Sequence, residues 1–139
     1  MLGKCMSARD IADLFLEGTG KIEFYWNFYT VTLLALFGWF VTSSPSMNVR
    51  LKCLLTVAYL GFAAMNLLGL WGSYAFTEAI RHDLLSMPIP EMPHTRAALL
   101  AKSYESQRNW GIAVHLLVDA FVLLVIWRCK PGKDVSHVE

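Results

Sequence analysis

Three apolar stretches organise the chain, at about 22–42, 51–72 and 110–127. Each approaches the ~20 residues that a helix needs to cross about 30 Å of hydrocarbon. Helices buried in a soluble bundle normally keep a charged face, and these stretches do not. The pattern therefore predicts three transmembrane helices. The tryptophans agree. Trp26, Trp71 and Trp110 fall at span ends on one side of the membrane, called side A, and Trp39 and Trp127 at ends on side B. Indole rings collect at headgroup level because they are apolar with one polar N–H.

The segments outside the spans are patterned too. Ser7 and Asp10 make a capping box. Ile11, Ala12, Leu14 and Phe15 then recur at helical spacing, with Asp10, Asp13 and Glu17 on other faces. This predicts a short amphipathic helix over 7–17, ended by Gly18 and Gly20. Helices lying in a membrane surface are rich in Lys and Arg. This one is acidic, so it is expected to pack on the rest of the protein. Helical character continues past Gly72 to about Ser86, where Pro88, Pro90 and Pro93 break it. Thr95 is placed to cap a further helix that meets no breaker before the third span. Residues 73–109 then form a helical hairpin projecting roughly 20 Å into side A. The expected fold is an all-α integral membrane protein in a single membrane domain over residues 1–139: three transmembrane helices plus the short amphipathic helix.

Polar residues inside the spans are the candidate chemistry. His115 and Asp119 are one helical turn apart on the third span. The stripe extends back through Gly111, Arg108 and Tyr104. Ionisable residues at this depth are costly and by default suggest function. Counting from the span centres puts Asn27, Asn66 and His115 at one level, roughly 6–8 Å off the midplane toward side A. Glu23, Asn27 and Thr30 make a stripe on the first span, and Asn66, Gly69 and Ser73 a face of the second. The expected site is a layer of Asn27, Asn66 and His115 above Asp119, flanked by Glu23, Thr30, Ser73, Tyr104 and Arg108. Gly69-x-x-x-Ser73 and Gly38-x-x-x-Thr42 have the spacing of close helix contacts.

Composition narrows the function. The chain has 139 residues, 55% of them hydrophobic and 17% charged, and a mean hydropathy of +0.43. That is too apolar for disorder. The net charge of +1 excludes a strongly basic surface, so nucleic acid is not an expected partner. Cys5, Cys53 and Cys129 have no metal or redox spacing. No phosphate loop, nucleophile elbow or zinc helix motif occurs, and no enzyme activity is expected. The N-terminus carries no secretory signal pattern. Side A holds Lys4, Arg9, Lys21, Arg81, Arg96, Lys102 and Arg108, and side B Arg50, Lys52, Arg128, Lys130 and Lys133. The raw count places the N-terminus inside, in a plasma or inner membrane.

The polar layer admits several uses. It can hold helices together by hydrogen bonds of roughly 1 kcal/mol each. It can line a proton or ion path, as in an oligomeric pore or a small pore-forming effector. It can also serve a cofactor. In size and in its intramembrane histidine, the chain resembles the three-helix anchor subunits of quinone-linked respiratory enzymes. It lacks their local motifs, so no function is carried over from them. Haem through His115 would need a second axial ligand from elsewhere, because His82, His94 and His137 lie outside the spans. No cofactor is therefore expected. The leading expectation is a binding, scaffold or accessory subunit, with the lipid bilayer and other membrane subunits or further copies of itself as partners.

Overall fold

The computed structural model describes residues 7–43, 46–87 and 93–129. Four helices follow in order: α1 (Ala8–Ser43), α2 (Val49–Ser86), α3 (Pro93–Ala101) and α4 (Tyr104–Arg128). Pro88, Pro90, Cys5, His137 and the charges of the tail and first residues (Lys4, Lys130, Lys133) lie outside the described residues.

α1, α2 and α4 are long and apolar enough to cross a membrane. At most 28% of the apolar window in any of them is buried within the chain. Leu34, Leu54, Leu117 and Phe121 face outward, as a lipid-facing surface requires. α1 has 36 residues and α2 has 38, or roughly 55 Å each at 1.5 Å per residue. Both outrun a bilayer, and the surplus turns stand together on side A.

α2 is the centre of the bundle, with α1 and α4 packed on it and α3 leaning against its far end. α1 and α4 reach each other through side chains. Rings bridge them at Phe15–Tyr104 (5.8 Å between centroids), Tyr29–His115 (3.9 Å) and Phe37–Phe121 (6.0 Å). The core divides along its length. Toward side B lie Tyr59, Ala63, Val122 and Ile126 with Leu33 and Phe37. Toward side A lie Ile22, Leu70, Tyr74 and Tyr104 with Tyr25 and Trp26. A third cluster, outermost on side A, joins Ile11, Ile80 and Leu84 to Leu14, Phe15, Met87 and Leu99.

α1 departs from the expected pattern at its N-terminal end. The capping box forms: Ser7 N donates to Asp10 Oδ2 (2.9 Å) and Asp10 N donates to Ser7 Oγ (3.2 Å). The Ser7 backbone N–H and then its hydroxyl, which donates to Oδ2 (2.8 Å), hold the Asp10 carboxyl below the usual carboxylate range. However, Gly18 and Gly20 do not end the helix. Residues 7–17 supply the cap and first turns of α1, not a separate amphipathic helix. A helical glycine costs only about 1 kcal/mol, and tertiary contact offsets it here. A Cβ at Gly18 would come within 2.6 Å of Thr77 Oγ1, so glycine is what lets α1 run close against α2. The apolar face of this segment packs on α2 and α3.

The side-A hairpin departs from the expected pattern as well. α2 reaches Ser86 as expected, but its return arm is broken at Lys102–Ser103. α3 opens at Pro93 rather than on a Thr95 cap. Ser103 caps α4, its Oγ accepting from Ser106 N (3.3 Å). The break is a tertiary effect. Glu78 accepts from Tyr104 N (3.2 Å), the first residue of α4, and from Arg81 at 2.8 and 2.7 Å. Arg81 in turn donates to the Leu99 carbonyl in the last turn of α3 (2.9 Å). A carboxylate thus sits at one helix N-terminus and a guanidinium at another's C-terminus, the arrangement helix dipoles favour. The other end of α4 is held likewise. Buried Lys52 donates from Nζ to the carbonyls of Trp127 (3.2 Å) and Cys129 (2.6 Å).

Candidate functional site

Between the two inner apolar clusters lies one polar layer, built by three helices. Asp119 and His115 are one turn apart on α4, and His115 Nδ1 meets Asp119 Oδ2 at 2.8 Å. Asp119 Oδ1 accepts from Tyr29 OH of α1 (2.8 Å) and Tyr59 OH of α2 (2.6 Å). His115 Nε2 lies 3.2 Å from Asn66 Oδ1 of α2. Asn66 Nδ2 donates to the Tyr25 backbone carbonyl of α1 (3.1 Å). The Tyr29 ring stacks on the imidazole at 22° between planes. His115 is wholly buried, and Asp119 and Asn66 nearly so.

The partners fix the protons. The Tyr25 carbonyl can only accept, so Asn66 must present its amide to Tyr25 and its oxygen to His115. Nε2 of His115 therefore carries a proton. One more proton occupies the His115–Asp119 contact. Placed on Nδ1 it makes an imidazolium–carboxylate pair, and placed on Oδ2 a neutral imidazole and a carboxylic acid. Either way the pair has no net charge. A neutral, fully partnered pair is tolerable in hydrocarbon where a lone ion is not.

The structure brings together Asn66, His115 and Asp119 and leaves the other expected members out. Asn27 is exposed. It lies at the layer's level, between Tyr25 and Tyr29, but on the outward face of α1. Glu23 and Thr30 are exposed as well. Ser73 Oγ donates to its own helix at the Gly69 carbonyl (2.8 Å). Tyr104 packs edge-on against Phe15. The Arg108 guanidinium lies 4.5 Å over the Trp71 ring, beside Glu105. None of these three touches the layer. The residues missed from sequence are Tyr29 and Tyr59. Their signal was spacing: Tyr59 is seven residues before Asn66, on the same face of α2, and Asp119 has acceptor capacity that His115 alone does not fill.

Both small-residue motifs were candidates for close packing. At Gly69 a Cβ would collide with the Tyr25 ring, whereas at Gly38 it would meet nothing. Gly111 sits under Trp26, whose Nε1 donates to Tyr74 OH (3.3 Å). Outside the layer, an open groove of about 340 Å³ runs between α1 and α2. Phe28, Leu36, Leu55 and Phe62 line it, and it reaches the layer at Tyr59. No group of His, Cys, Asp and Glu among the described residues could hold a metal ion. Compared with family models, curated proteins and solved structures, the chain matches none.

Proposed function

We propose that the protein acts by binding, as a small polytopic scaffold or accessory subunit of a membrane assembly. The observation that carries this reading is the closure of the buried layer. Tyr29, Tyr59, Asn66, His115 and Asp119 spend their hydrogen bonds on one another and on the Tyr25 carbonyl. Apolar clusters bracket the layer along the bundle axis on both sides. A conducting path needs polar groups that water reaches from two sides, while a closed neutral layer fixes helix register. The surfaces left for partners are then the outer helix faces and the side-A end, where Phe76, Leu100 and Trp110 are exposed. We place this assembly in a plasma or inner membrane, N-terminus inside, following the positive charges of side A.

Cysteine accessibility tests it. Single cysteines at 115 and 119, in a background free of other cysteines, are challenged with a charged thiol reagent in native membranes. Absence of labelling is expected. Labelling at both, with none on the opposite face of α4, would mean a water-filled path and would replace this reading with an oligomeric pore or proton path.

A further inference from the structure

The outward face of α1 carries a feature the bundle does not use. Asn27 is exposed there, and its amide meets no hydrogen-bonding partner among the described residues. Its depth is fixed by its neighbours. The Tyr25 carbonyl holds Asn66, and Tyr29 holds Asp119, so Asn27 stands level with the buried layer, in the side-A half of the span. An unpaired amide turned to lipid within a span is costly. Its ridge has the spacing of a helix seam. Gly20, Asn27 and Leu34 recur every seven residues, and Thr30, Val31 and Gly38 lie between and beyond them, all exposed. A Cβ at Gly20 or Gly38 would meet nothing within 4 Å, so another backbone can approach closely at both.

We infer that this ridge is the contact between two copies of the chain, paired in parallel through Asn27. The inference rests on the reading of the protein as one that works by association. Three features select a second copy over another helix. Copies insert in the same direction, so their Asn27 residues fall at the same depth. A carboxamide donates and accepts, so its own image across a two-fold axis completes it. A single asparagine in a seven-residue apolar repeat fixes register and favours a pair. Glu23, one turn toward side A, offers the facing amide a further acceptor at the membrane edge.

The test uses the full chain with Cys5, Cys53 and Cys129 replaced by serine, in native membranes. Single cysteines at Val31, Leu34 and, as a control on the outer face of α2, Val57 are oxidised, with Asn27 kept. Disulfide-linked dimer is expected at 31 and 34 and none at 57. Asn27→Leu should weaken self-association roughly ten-fold and Asn27→Gln should retain it. Neither change touches the buried layer, so the unfolding midpoint of the monomer should stay unchanged. A crosslink from positions 31 and 34 to a different protein overturns the second copy while leaving the binding reading in place. If neither position gives a crosslink to anything, and Asn27→Leu leaves association unchanged, the ridge is lipid-facing and the inference fails.

Discussion

Asp119 and Glu78 are two carboxylates that tie α4 to α2, one at each end of the solvent scale. Asp119 takes two tyrosine hydroxyls and an imidazole between apolar clusters. Glu78 takes a guanidinium and the first amide of α4 where the bundle leaves the membrane. The number of donors is similar, but the fate of those donors when the carboxylate is removed is not. At Glu78 water can replace it. At Asp119 nothing can, because the surroundings are aromatic rings and aliphatic side chains. The value of a hydrogen-bonded carboxylate is therefore set less by its bonds than by what would fill its place.

The largest expected effect follows from that difference. Asp119→Leu strands Tyr29 OH, Tyr59 OH and His115 Nδ1 together, and should cost roughly 2–4 kcal/mol of bundle stability. Asp119→Asn should cost under about 1 kcal/mol, because the amide oxygen can still accept from both tyrosines and the amide nitrogen can donate to Nδ1 of a neutral His115. Reversible unfolding in detergent or bicelles distinguishes the two. Equal losses for Leu and Asn would show that the charge of Asp119, and not the closure of the layer, is what matters.

Depth was legible in the sequence, and direction around a helix was not. Counting residues from the span centres brought Asn66, His115 and Asn27 to one level, and they share it. The count carries no azimuth, so it cannot tell that Asn27 faces out. The outward face of α1 mixes Glu23, Asn27 and Thr30 with Phe24, Val31 and Leu34, and only the packing of Ile22, Tyr25 and Tyr29 shows which face is inner. Tyrosine hides its hydroxyl in an apolar pattern, which is why Tyr29 and Tyr59 read as core filler. The continuity of α1 through Gly18 and the break before Tyr104 share one cause. Local signals for both were weak, and Thr77 and Glu78, adjacent on α2, decided each from a distance.

Packing gives the next effect in size. Gly69→Ala pushes a methyl group into the Tyr25 ring, on the residue whose carbonyl holds Asn66, and should cost about 1–3 kcal/mol. Gly72→Ala, three residues on with open space around it, should be neutral or slightly stabilising. If both substitutions prove neutral, the Tyr25 ring moves aside freely, and the α1–α2 approach is looser than the geometry implies.

At the wet end the effect is smaller and depends on pH. Glu78→Gln should cost about 1–2 kcal/mol near neutral pH, since charged hydrogen bonds to Arg81 become neutral ones. Arg81's hydrogen bonds hold the Glu78 carboxyl below its ordinary value, partly offset by burial. A depressed folded pKa means this stabilisation is full above the unfolded value of about 4.3 and fades as pH falls through the folded one. The wild type should lose stability relative to Glu78→Gln below about pH 4, and the two should converge there. A constant difference down to pH 3 would mean that Glu78 acts through packing rather than charge.

The smallest effect is expected at the opposite end of α4. Lys52 is buried, but its ammonium serves carbonyls that end a helix near the side-B surface. Water can reach such carbonyls once the side chain is gone. Lys52→Met keeps most of the aliphatic stem and removes the cation, so it should cost about 0.5–1 kcal/mol. The loss should appear as faster amide exchange confined to the last turn of α4, with Asp119 and its partners unmoved. Exchange that quickened as far as His115 would mean that the helix end and the buried layer unfold as one unit. Lys52 would then belong with Asp119 rather than with Glu78.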